Sequence, residues 1–185
     1  MSNNLYSNIL NNYLFVGLYK LLQKINNNPE CFSTNVSKEK SVNGNKITNG
    51  FTSYNGYCVY GYYTGTGYNC GKNNIFIKDA DSEFINIEPI DPVDMCAFIH
   101  DVKIYSDIRF YSILKANHNL GQNLMKAIKA NIFNKCLLNT ISLIGNLLIT
   151  PIFWLYLKYS FKPIKFSEGV YSKVKEYQTK LDKIR

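Results

Sequence analysis

The sequence predicts a mainly α-helical protein: an antiparallel helix pair behind a Gly-rich loop, then one long apolar helix near the C-terminus. Three observations predict it. From Val93 to Asn131 no proline occurs, and Cys96, Ile99, Ile104, Ile108, Ile113, Leu120, Leu124 and Ile128 recur at three-, four- or five-residue steps. Glycines 56, 61, 65, 67 and 71 alternate with tyrosines in a stretch too interrupted for a helix. Residues Cys136 to Leu157 run for 22 positions without a charge, between Lys135 and Lys158.

Each element follows in chain order. Residues 1–50 read as an apolar helix over 5–25 followed by a polar linker rich in Asn, Ser, Thr and Lys. The apolar run Tyr13–Tyr19 has no charge before Lys20, so it lacks the basic start of a signal peptide; a signal-anchor is the alternative. Asn is abundant throughout, as an AT-rich genome would impose, and its runs carry no functional weight. Residues 51–135 form the central domain. It opens with the Gly-Tyr loop, continues through a strand candidate at Ile75–Ile77 and an acidic connector, and reaches Glu88-Pro89-Ile90-Asp91-Pro92, a helix start signal. Residues 136–157 are predicted to form a transmembrane helix, since 22 residues at ~1.5 Å each span a ~30 Å hydrocarbon layer. Asn139, Asn146 and Pro151 blemish it, and a buried or interfacial helix is the alternative. Residues 158–185 read as a basic tail, lipid-facing or cytoplasmic, and lysines on both flanks leave the orientation weakly determined.

Composition narrows the function. A chain of 185 residues with 46% hydrophobic side chains can bury a core, so wholesale disorder is excluded. Of 21 basic and 13 acidic side chains, 8 and 3 lie in residues 136–185, so much of the net charge of +8 sits beside the apolar run. No Arg-rich stripe accompanies it, which favours anionic lipid as partner; nucleic acid is not expected. Five cysteines without a C-x-x-C pair exclude a fully paired secreted scaffold and make structural zinc improbable. Cys58 and Cys70 are either bridged across the loop or thiols in a reducing compartment. Gly67-Tyr68-Asn69-Cys70-Gly71-Lys72-Asn73 has the wrong spacing and an Asn where a phosphate-binding loop needs Ser or Thr.

Chemistry concentrates at His100-Asp101. The chain has two histidines, and His118 reads as solvated or interfacial. Neighbouring helical side chains diverge by about 100°, so these two are expected to flank one site rather than bond each other. A hard cation on Asp101 beside a water deprotonated by His100 makes metal-assisted hydrolysis. The glycines of the loop let carbonyls of Tyr63, Gly65 and Gly67 turn toward one point, as a calcium site of six to eight oxygens requires.

Tyr63-Thr64-Gly65-Thr66-Gly67, then Asp94 six positions before His100-Asp101, with Glu88-Pro89-Ile90-Asp91 ahead of them, resemble the secreted phospholipase A2 superfamily. They resemble more closely the abbreviated, disulfide-poor phospholipase domains of parvovirus capsid proteins. The resemblance covers roughly residues 57–131. It implies calcium as cofactor, held by the Tyr63, Gly65 and Gly67 carbonyls and the Asp101 carboxylate, with His100 activating water against the sn-2 ester of membrane phospholipids. It also implies a membrane-associated setting outside the cytosol, where calcium is plentiful, such as a lumen or a virus particle.

Two positions depart from the family. The carboxylate that orients the histidine falls at Asn117 in Ala116-Asn117-His118-Asn119-Leu120, which predicts a helical hairpin turning near residues 108–109. An amide accepts a hydrogen bond from the imidazole but does not stabilise imidazolium by charge. The tyrosine that supports that carboxylate in the family is Ile104 here, with Tyr105 one place late. The alternative function is therefore a catalytically degenerate, lipid-binding protein of the same fold. Asp107 is no substitute, since seven residues of helix place it ~10.5 Å along the axis.

Overall fold

The computed structural model describes residues 41–42, 45–46, 51–54, 57–64, 68–73, 80–129 and 132–184. The predicted helix over 5–25, the strand candidate Ile75–Ile77, and Gly65 and Gly67 lie outside the described residues. The described part is mainly helical, as predicted. The chain divides into two compact units, Met1–Met95 and Cys96–Arg185, so the break falls inside a helix.

The first unit carries three short antiparallel hairpins. Strand β1 (Ser41–Val42) pairs with β2 (Asn45–Lys46), β3 (Phe51–Tyr54) with β4 (Tyr57–Tyr60), and β5 (Tyr68–Asn69) with β6 (Lys72–Asn73). The β3–β4 register sets Phe51 opposite Tyr60 and Tyr54 opposite Tyr57. Where an acidic connector was expected, helix α1 (Ala80–Asn86) forms. Asp81 and Glu83 in its first turn suit the positive end of the helix dipole, and Phe84 buries itself with its ring 5.4 Å from that of Tyr63.

Helix α2 (Pro92–Ser106) starts where the proline signal placed it. Asp91 is its cap: Oδ1 accepts the Asp94 N–H at 2.9 Å, and Pro92 occupies the first turn, where a missing N–H costs nothing. The Tyr60 hydroxyl donates to the other Asp91 oxygen.

In the second unit, the remainder of α2 is followed by α3 (Phe110–Ala127), α4 (Ile132–Ser160) and α5 (Glu168–Asp182). The hairpin turns at Asp107–Arg109, as the spacing predicted, although neither glycine nor proline marks it. Asp107 does the work: its carboxylate accepts from the Arg109 backbone N–H at 3.1 Å, from the Ser112 hydroxyl at 2.7 Å and from the Arg109 guanidinium. These bonds hold its carboxyl below the usual carboxylate range.

The expected basic tail instead contains a packed helix. Val170, Tyr177 and Leu181 are buried at helical spacing along α5, and the Tyr177 ring meets Phe98 of α2 edge-on at 5.1 Å. Such an aromatic pair adds about 0.5–1.5 kcal/mol beyond its burial. Asn123 and Gln178 exchange two amide bonds of 3.0 Å between α3 and α5. The sequence reading missed this helix because lysines and glutamates dilute its apolar stripe.

Helix α4 bends by 46° between Leu148 and Thr150, ahead of Pro151, whose ring and missing N–H break the helical ladder. Among the described residues no single helix is long and apolar enough to cross a membrane; the two arms of α4 pass that test only together. Gly121 of α3 lets α4 approach closely, since a Cβ there would lie 2.7 Å from the Ser142 hydroxyl.

Candidate functional site

Two facing helices build the site. One turn into its second-unit portion, α2 presents His100 and Asp101, and α3 returns to bring Asn117 level with them. The His100 Nε2 lies 2.7 Å from Asn117 Oδ1, which is the pairing the hairpin count predicted. On the other edge of the ring, Nδ1 lies 3.0 Å from Asp101 Oδ1. The expectation that neighbouring helical side chains would not bond each other is therefore corrected. The backbone directions diverge, but rotation about the histidine's side-chain torsions carries Nδ1 across to the carboxylate, and burial rewards the contact.

Both groups are largely sheltered, with side-chain exposures of 16% and 12%. Burial pushes the Asp101 carboxyl up to about 6, opposed by the hydrogen bond and the charge of His100. Its second oxygen, Oδ2, is buried and has no hydrogen-bond partner among the described residues. A buried carboxylate oxygen left in that state costs free energy, and a hard cation is one partner that removes the cost. On this observation Asp101 fits the calcium role. Among the described residues no three His, Cys, Asp or Glu side chains cluster around a point, and a site of one carboxylate plus backbone carbonyls is not of that kind.

The second shoulder of Asn117 meets a residue that sequence reasoning did not single out. Its Nδ2 donates to the Thr150 hydroxyl at 2.8 Å, and Thr150 is wholly buried at the bend of α4. Ile104 and Tyr105 are both buried; the Tyr105 ring packs 5.1 Å from Phe161, and its carbonyl accepts from the Ile164 N–H. One signal for Thr150 was available. Asn139, Ser142 and Thr150 recur at helical spacing within the apolar run and face α3, where Asn139 accepts from Gln122 at 3.2 Å. Asn139, read as a flaw in a span, is a contact between helices.

The loop residues belong to the first unit. Tyr63 is buried and donates its hydroxyl to the Ile87 carbonyl at 2.5 Å. Asp94 gathers this loop: it accepts from the backbone N–H groups of Tyr62 at 3.0 Å, Tyr63 at 2.9 Å and Ile90 at 3.2 Å. Its role is thus to shape the segment, not to react. Burial pushes its carboxyl up to about 7, with the Asp91 charge adding to the rise and the three N–H donors opposing it. Cys96 is core, as expected, and His118 is exposed. In comparisons with known proteins, the chain matches no family model, no curated protein and no solved structure.

Proposed function

We propose that the chain is a calcium-dependent, phospholipase A2-like hydrolase of the sn-2 ester of membrane phospholipids. The observation that carries this reading is His100, with Nε2 2.7 Å from Asn117 and Nδ1 3.0 Å from an Asp101 whose second oxygen is buried and, among the described residues, without a hydrogen-bond partner. Calcium, when bound, supplies positive charge that polarises the ester carbonyl and stabilises the oxyanion. Asp101 would hold it, and the resemblance adds the carbonyls of Tyr63, Gly65 and Gly67 as further ligands.

The chain's own residues do the proton work. With its hydrogen on Nε2 donated to Asn117, His100 keeps a lone pair on Nδ1. Once Asp101 turns to a cation, that lone pair is open to take a proton from the attacking water. Such a base is worth about 10²–10⁴-fold in rate. Asn117 orients the ring without stabilising the imidazolium by charge, so turnover is slower than with a carboxylate at this position.

Helix α4 supports the choice of substrate. Leu143, Leu147, Leu148 and Ile152 are each more than half exposed, while its polar Asn139, Ser142 and Thr150 turn inward to α3. A helix with its apolar face outward matches a lipid surface.

The test is fatty-acid release from mixed phospholipid vesicles by the purified chain. Release with millimolar calcium, lost with chelator and in His100→Gln, is expected; release that ignores both sinks the proposal. The neutral Asn117 favours one second reading, a lipid-binding protein with a degenerate site. That reading predicts no release from the folded chain and its appearance in Asn117→Asp.

A further inference from the structure

We infer that helix α4 enters a bilayer from one side only: its aliphatic middle lies among the acyl chains of a single anionic leaflet, and Trp154, Phe110 and Lys158 hold its C-terminal arm at headgroup level. The inference rests on the lipid-surface part of the reading above and not on hydrolysis.

The first observation is the neighbour that α4 cannot leave behind. Asn139 lies 3.2 Å from Gln122, Thr150 lies 2.8 Å from Asn117, and the Trp154 ring meets that of Phe110 edge-on at 5.6 Å. As these contacts advance along α4 they retreat along α3, so the two helices run antiparallel and touch from one arm of α4 to the other. A crossing by α4 would therefore carry α3 into the hydrocarbon. Lys115 and His118, between Phe110 and Gln122, are exposed, and so is Lys126 one turn further on. Helix α5, bonded to α3 through Gln178 and Asn123, would bring exposed Glu176 and Lys180 as well. Ionisable side chains facing lipid are costly in the hydrocarbon, so only the face of α4 turned away from α3 is open to acyl chains.

The second observation is the order of side chains on that face. Ile144, Leu148, Ile152, Leu155 and Tyr159 are exposed at steps of four or three, a stripe that continues through the bend. Lys135 is exposed at one end of it. Toward the other end aliphatic residues give way to Trp154, Tyr156 and Tyr159, whose amphipathic rings favour the boundary between headgroups and chains. The Lys158 ammonium lies 5.1 Å from the Trp154 ring centre and 5.7 Å from that of Tyr159, so cation and rings occupy one level. Exposed Lys162 and Lys165 follow, and this cationic level matches anionic headgroups. A second copy of the chain would bring the same cations and, at +8 overall, no excess of acid to meet them.

Trp154 is the chain's single tryptophan and reports its own depth. The full, calcium-free chain is mixed with vesicles of phosphatidylcholine and phosphatidylglycerol. Its emission is expected to move to shorter wavelength, and to be quenched more by lipids brominated near the carbonyl end of the chain than near the methyl end. A membrane-impermeant maleimide added outside, with labelled peptides read by mass, reports both ends of α4. The exposed Cys136 and the thiol introduced by Ser160→Cys are both expected to label fully, with nothing gained on adding detergent. One site protected until the vesicles are opened means a crossing helix and overturns the inference. So does emission that ignores vesicles, quenching that is strongest near the methyl end, or a dimer in solution that already shields Trp154, which would assign the face to a second copy. Fatty-acid release enters none of these readings: a chain that docks in this way without hydrolysing lipid refutes the hydrolase reading alone, and release by a chain whose α4 crosses refutes this inference alone.

Discussion

Asp94 and Asp101 sit seven residues apart on α2, and burial raises both carboxyls, to about 7 and about 6. Their surroundings give them opposite uses. Asp94 spends its oxygens on backbone N–H groups, whereas Asp101 keeps one buried oxygen without a hydrogen-bond partner among the described residues, beside a histidine. The raised value at Asp94 carries a stability consequence whose sign is fixed. An unfolded aspartate loses its proton near about 3.9, so between about 4 and about 7 the folded chain binds more protons than the unfolded one. Stability is therefore fullest below that window and falls as pH rises through it, by at most roughly 4 kcal/mol at 1.36 kcal/mol per unit. Thermal unfolding at about pH 5 and about pH 8 checks this: the wild type is expected to melt lower at the higher pH. Asp94→Asn is expected to melt lower at both but with a flatter dependence, since an amide cannot accept three N–H bonds as a carboxylate does. A wild type equally stable at both values contradicts the burial argument. At this scale the sequence was informative wherever spacing decides the contact, as for His100 and Asn117. For Thr150 it offered only the helical spacing shared with Asn139 and Ser142, because nothing local ties a threonine in an apolar run to an amide 33 positions earlier.

The loop that Asp94 gathers depends on one backbone position. Gly61 has φ of +59°, and a Cβ there would lie 2.4 Å from Asp94 Cγ and 2.5 Å from each carboxylate oxygen. Gly61→Ala therefore meets the left-handed penalty of about 1–2 kcal/mol and also displaces the carboxylate from the N–H groups it binds. A loss of at least about 2 kcal/mol is expected, read as a lower urea midpoint of the full chain; an unchanged midpoint would show that Asp94 does not hold the loop. The elements themselves were legible in proportion to the contrast of their patterns. Helices α2 and α3 announce themselves by apolar periodicity and by Asp91-Pro92, and their turn follows from setting His100 level with Asn117. By contrast, α1 is seven residues within an acidic stretch, and α5 hides Val170, Tyr177 and Leu181 among charges. Helix α4 shows the converse error. Its lack of charge is plain, but only the structure reveals that Asn139, Ser142 and Thr150 turn toward α3 while Leu143, Leu147 and Leu148 turn out.

That inversion sets how the chain as a whole should meet a membrane. Leu147 and Leu148 are 65% and 66% exposed, Ile152 is 55% exposed, and the exposed Lys158, Lys162 and Lys165 follow at the end of the same segment. Burying one such side chain in an apolar phase contributes about 1.5–3 kcal/mol, and each lysine near an anionic surface adds about 1 kcal/mol that salt screens. The apolar part should therefore dominate affinity and the basic part should tune it. The full chain is expected to float with vesicles containing anionic lipid, and Leu147→Asp with Leu148→Asp is expected to weaken partition by well over tenfold with helicity intact. Added salt should weaken it more modestly. If the double variant floats as well as the wild type, the outward face of α4 is not the lipid contact. If the proposed hydrolysis holds, a soluble short-chain phospholipid separates this surface from the site: the double variant should hydrolyse it as the wild type does, because both leucines are exposed whereas Asp101 and Thr150 are buried, while its activity on vesicles falls with its binding.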